Sequence, residues 1–137
     1  MYKKILVPMA LTHDISSQTL QIARALLAEG GAIVALHVYE VPHGSVTPYL
    51  DEKLIAELMG RAESLLREKT AGHADVTPVL LKGHTGRAII DYAEANGVDC
   101  IVMGSHKPGM TDFLLGSTAA RVVRHAPCAV HVQRTAQ

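Results

Sequence analysis

Gly104, Ser105, His106, Lys107 and Gly109 open one short segment of the chain, and Gly116, Ser117 and Thr118 close it. Those residue types offer the chemistry of a phosphate cradle. Glycine lets a ligand approach the backbone closely, and the unpaired N–H groups at a helix start attract anions. The segment follows an apolar run, residues 99–103, that reads as a buried strand, with Met103 at its end. It precedes the helical pattern Ala-Ala-Arg-Val-Val-Arg. Gly116-Ser117-Thr118 also reads simply as a helix cap; its pairing with Gly104 and Gly109 raises the functional reading. Lys107 either adds charge near a phosphate or is a solvated loop lysine. His106 either contacts a ligand or braces the loop.

Better-known phosphate motifs are missing. Gly104-x4-Gly109-Met110-Thr111 comes within one residue of a Walker loop, but Met110 stands where the phosphate-contacting lysine belongs. No Gly-x-Gly-x-x-Gly follows the first strand, so the dinucleotide fingerprint is absent. The chain has eight histidines, and none forms His-x-His, His-x3-His or Cys-x2-Cys spacing, so no tight zinc site is expected. His37 and His131 fall inside strand runs and read as structural. There is no Gly-x-Ser-x-Gly elbow and no nucleophile–base pair, so binding rather than turnover is expected. Adenylyl or phosphoryl transfer would need metal-binding carboxylates near the loop, and Asp112 is the only acid in it.

The elements that must position this loop alternate along the chain. Strands are predicted over 4–9, 32–39, 76–81, 100–103 and 129–133. The first helix is predicted over 14–29, with Asp14 as its cap and Gly30-Gly31 closing it. The second runs over 51–69 with Asp51 as N-cap and Leu54, Ile55, Leu58, Leu65 and Leu66 inward. A turn over 83–86 precedes the third, which stops at Asn96-Gly97, and the fourth ends before Pro127. This β-α-β-α-β-α-β-α-β order predicts an α/β fold with a parallel sheet and helices on both faces. Pro78 cannot donate to a ladder, which puts the third strand at an edge. Ligands of such sheets bind at the carboxyl ends of strands where the order reverses. Pro8, Met9 and Ala10 would share that crevice with Gly104, Ser105 and His106 if the first and fourth strands are neighbours there.

The 137 residues suit one domain, 1–137, and 48 % hydrophobic residues are enough for its core. Thirteen basic and thirteen acidic residues leave no net charge, and no basic block favours nucleic acid or a membrane surface. No run of about 18 apolar residues marks a membrane span. The apolar start stops at Pro8 without a cleavage site, so a cytoplasmic location is expected. The two cysteines, Cys100 and Cys128, read as buried free thiols.

Six pieces in order resemble the universal stress protein family over nearly the whole length. They are Lys4-Ile-Leu-Val-Pro8, Leu36-His-Val38, Gly83-His-Thr-Gly86, Asp99-Cys-Ile-Val-Met-Gly-Ser-His106, Leu114-Leu-Gly-Ser117 and Arg124-His-Ala-Pro-Cys-Ala-Val130. The resemblance implies a three-layer sandwich around a five-stranded parallel sheet of order 3-2-1-4-5. It implies a homodimer paired through strand 129–133, acting in a stress response. Members with Gly-x2-Gly-x9-Gly-Ser/Thr after strand four bind ATP there, with or without Mg2+. Carried over, Pro8, Met9, Ala10 and Val38 would enclose adenine and ribose. Phosphates would meet the loop from Gly104 and the helix start at Gly116, Ser117 and Thr118. The chain departs twice: Lys107 replaces the second glycine in a loop one residue shorter, and Ala10 replaces an aspartate that faces the nucleotide. The alternative is a dimeric interaction module without ATP, which Ala10 favours.

Overall fold

The structure is a computed structural model, and it describes residues 1–41, 52–105 and 115–134. Five strands form one parallel sheet: β1 (Tyr2–Pro8), β2 (Leu27–Tyr39), β3 (Val76–Lys82), β4 (Cys100–Gly104) and β5 (Ala129–Gln133). Their order is β3-β2-β1-β4-β5, as the resemblance implied, with Pro78 on an edge strand. Four helices connect them: α1 (Ser17–Leu26), α2 (Glu52–Thr70), α3 (Thr85–Ala95) and α4 (Ser117–His125).

Strand alternation divides the core into two layers. Leu6, Val34, Leu36, Ile101 and Met103 face α3 and α4, where Ile89, Ala93, Ala119 and Val122 meet them. Ile5, Val7, Ile33, Ala35 and Val102 face the other way, against Leu20 and Ala23 of α1. Because both faces are covered, the central strands read as continuous apolar runs. Cys100 lies in the second layer and is free, as is the half-buried Cys128. Burial pushes the Cys100 thiol up to about 11, so it stays protonated at neutral pH.

Four expectations are corrected. Gly30 and Gly31 do not close α1; the helix ends at Leu26 and both glycines lie within β2. They absorb a register shift against β1, where Tyr2 pairs with Leu27 but Lys4 with Ala32. Gly30 has φ of +76°, and a Cβ on Gly31 would stand 2.9 Å from the Lys3 carbonyl oxygen. Asp14 does not cap α1. Ser16 does, accepting from the Thr19 N–H, while Asp14 accepts from Lys69 Nζ at 3.1 Å. In α2, Leu66 is buried, but Leu54 and Leu65 are exposed; among the described residues α2 packs mainly on β2 and β3. Gly86, expected in a turn, lies inside α3. Asp51, the expected cap of α2, lies outside the described residues.

Candidate functional site

β1 has β2 on one side and β4 on the other, and their connections leave in opposite directions, so the strand order reverses there. At the carboxyl end of that reversal is a crevice of about 980 Å³. Pro8, Met9, Ala10, Val38, Met103, Gly104, Ser117 and Thr118, all expected at the site, line it. Gly116 is the N-cap of α4 just behind the lining, and Ser105 is fully buried beside Gly104. His106, Lys107 and Gly109 lie outside the described residues.

Backbone geometry explains why the crevice is polar at its base. Pairing of β1 with β2 ends at Pro8 opposite Leu36, and the Met9 N–H donates to the Leu36 carbonyl at 2.9 Å. Leu36 therefore directs its backbone polar groups toward β1. Side alternates along a strand, so Val38 directs its N–H and C=O the same way, into a lane that β1 has already left. The β1–α1 turn is held by His37, whose Nδ1–H donates to the Met9 carbonyl at 2.8 Å. In the neutral ring the other nitrogen is then an acceptor.

The far wall is the start of α4. Gly116 N–H donates to the Ser105 carbonyl at 2.7 Å, and Ser105 N–H donates to Gln133 at 3.0 Å. These bonds tie the start of α4 to Ser105, and Ser105 to β5. Among the described residues no side chain caps α4, so its first-turn amides have no side-chain acceptor there. The Ser105 hydroxyl is buried without a partner among the described residues. A Cβ on Gly104 would meet nothing within 4 Å among the described residues.

Sequence reasoning missed a second helix start in the same crevice. Thr85 and Gly86 of α3 line it, with Glu40 from the end of β2. Glu40 Oε1 accepts from Thr85 N–H at 2.8 Å and from Thr85 Oγ1 at 2.6 Å. That carboxylate occupies the start of α3, and Ser16 caps the start of α1, which also lines the crevice, so α4 is the start without a side-chain cap among the described residues. Arg121 also lines the crevice. It lies three and four residues after Thr118 and Ser117, a spacing that puts all three on one helix face and was legible once α4 was located. Among the described residues no group of three or more His, Cys, Asp or Glu could hold a metal ion. A flatter concavity of about 550 Å³ on α2, between Glu57, Arg61 and Glu68, lies on a single helix away from the strand ends.

A family model described as the universal stress protein family matches residues 1–134. The chain belongs to that family. It is 32% identical over 145 residues to the universal stress protein of Methanothermobacter thermautotrophicus, covering 98% of this chain and 97% of that one. Universal stress protein UspA from Lactobacillus plantarum superimposes with a TM-score of 0.67 at 29% identity, over 97% of this chain and 98% of that one. The same fold occurs in a universal stress protein solved in complex with cAMP, at 22% identity and a TM-score of 0.67 over 98% and 99% of the two chains. It occurs again in one from Archaeoglobus fulgidus in complex with dAMP, at 20% identity and a TM-score of 0.55 over 96% and 97%.

Proposed function

We propose that the crevice binds an adenine nucleotide, ATP in particular, and that the protein acts in the cytoplasm as a dimeric binding module in a stress response. One observation carries this reading: the start of α4, without a side-chain cap among the described residues, opens into the same crevice as the lane beside Val38 that β1 has left. The two ends suit the two ends of a nucleotide. Adenine offers an amino donor beside a ring-nitrogen acceptor, which matches the carbonyl and N–H of Val38. Guanine presents the reverse order at that edge. The phosphates fit the amides of Ser117 and Thr118, the space beside Gly104 and the hydroxyl donors next to them. The cAMP and dAMP complexes of family members support an adenine ligand in this fold.

Mg2+ belongs to this reading as an ion carried by the phosphates, as is usual for that metal. The crevice acids have other engagements: Asp14 accepts from Lys69 and Glu40 from Thr85. Binding, rather than turnover, is the activity these residues support.

Mass spectrometry of nucleotide released from the denatured purified protein is expected to find an adenine nucleotide. Calorimetry is expected to give tighter binding of ATP than of GTP; equal affinities would contradict the role of Val38. Absence of binding by either at millimolar concentration would favour the ATP-free interaction module. Ala10 is the residue that favours that second reading, since its methyl group gives a ribose hydroxyl no acceptor.

A further inference from the structure

We infer that Arg121 reads the phosphate chain and makes the crevice selective for a linear polyphosphate. Its identification as a nucleotide's phosphate chain rests on the adenine-nucleotide reading; the anion chemistry itself does not.

Among the described residues that line the crevice, the permanently charged side chains are Asp14, Glu40 and Arg121. Asp14 is ion-paired with Lys69, while Glu40 keeps its charge and accepts hydrogen bonds from Thr85 at the start of α3. The ion pairs among the described residues use Arg24, Arg67, Lys69 and Arg87, and none uses Arg121. Arg121 therefore brings a positive charge, without an ion-pair partner among the described residues, to the wall that also carries the start of α4. Its five N–H donors form a planar fork suited to phosphate oxygens.

The arm is also seated. A Cβ on Gly86 would stand 2.8 Å from Arg121 Cδ, 3.4 Å from Cγ and 3.5 Å from Cβ. The aliphatic part of Arg121 thus lies in the notch that glycine leaves in α3. Gly86 is the second residue of α3, and its missing Cβ leaves the room that the Arg121 arm takes. Ser117 and Thr118 are one turn away, about 5.4 Å along the axis. Phosphates in series can engage the α4 amides and the guanidinium together. A cyclic monophosphate offers one anionic group, and adenosine offers none.

Calorimetry with tripolyphosphate, ATP and adenosine separates the contributions. Arg121→Gln is expected to weaken tripolyphosphate and ATP roughly tenfold to a hundredfold, the scale of one charged hydrogen-bonding partner. Adenosine binding should not change. Arg124→Gln removes the same charge from α4 outside the crevice lining and should leave all three affinities intact. Gly86→Ala should weaken tripolyphosphate by displacing the Arg121 arm, with helix content by circular dichroism preserved. Unchanged tripolyphosphate and ATP binding in Arg121→Gln overturns the inference, as does an equal loss in Arg124→Gln. A parent protein that binds tripolyphosphate but not adenosine sinks the adenine reading and leaves Arg121 in its role. One that binds adenosine but no tripolyphosphate sinks this inference alone, and one that binds neither sinks both.

Discussion

Gly116 has φ of −58° and ψ of 155°, a conformation open to any residue. The backbone there does not require glycine, so under the proposed reading its value would be room for a phosphate at the start of α4. Ser117 adds a hydroxyl and an N–H on the crevice wall. Ser117→Ala is expected to weaken ATP roughly tenfold to a hundredfold, since a hydrogen bond to a charged group contributes about 1.5–3 kcal/mol. Gly116→Val should be worse, because its branched side chain takes the space of a phosphate oxygen. Thr85→Ala offers a contrast. Its hydroxyl is committed to Glu40 at 2.6 Å, so its loss should cost about 1 kcal/mol of stability, read as a shifted urea midpoint. If Gly116→Val, folded by circular dichroism, binds ATP as well as the parent does, the phosphates lie elsewhere.

At the level of elements, all five strands were legible because buried parallel strands are short apolar runs bounded by turn residues. The strand ends nearest the crevice were legible too, which is why Pro8, Met9, Val38 and Met103 could be named. Gly30-Gly31 misled because a helix stop and a strand bulge use the same residue; register against Lys3 decides between them. The spacing of Arg121 from Ser117 and Thr118 was legible, but its seat against Gly86 was not, because that depends on α3 meeting α4, a contact no local pattern encodes. Asp99 was noted only as the start of an apolar run, yet it fixes the neighbouring strands that create the reversal. Its carboxylate accepts from the N–H of Lys3 at 2.8 Å and of Lys4 at 2.9 Å. Desolvation opposes its charge, but those backbone donors and the nearby Lys3 charge outweigh it and hold the carboxyl below its usual value. A depressed carboxyl stabilises the fold above its unfolded pKa of about 3.9, and that contribution is lost as pH falls through the lower folded value. Urea midpoints at pH 5 and in stronger acid should therefore converge between the parent and Asp99→Asn. An equal gap at both values would mean that the Asp99 charge contributes nothing.

At the scale of the whole molecule, the two sheet edges differ in what they offer a second copy. The Gly83 N–H donates to the Tyr39 carbonyl, which fixes the odd-numbered residues of β2 as those facing β3. With Ala35 opposite Pro78, the proline turns its missing donor to the outer side, away from the β2 ladder. That edge is blunted at no cost to the sheet. At the other edge, the Ser105 N–H donates to the Gln133 carbonyl, so Ala129, His131 and Gln133 face β4. Val130 and Val132 direct their backbone groups outward, with neither a proline nor a charged residue within β5 to guard them. An antiparallel copy of β5 across a two-fold axis would pair those groups in an isologous dimer, the assembly we propose. Val132→Pro removes one outward N–H and no bond to β4, so it should yield a folded monomer. Val130→Lys is a harsher probe, because Val130 also packs against the α3–α4 core layer and its loss should lower stability as well. Light scattering at micromolar concentration should give twice the chain mass for the parent and the single mass for Val132→Pro. A parent that scatters as a monomer, or a Val132→Pro variant that remains dimeric, would remove β5 from the interface.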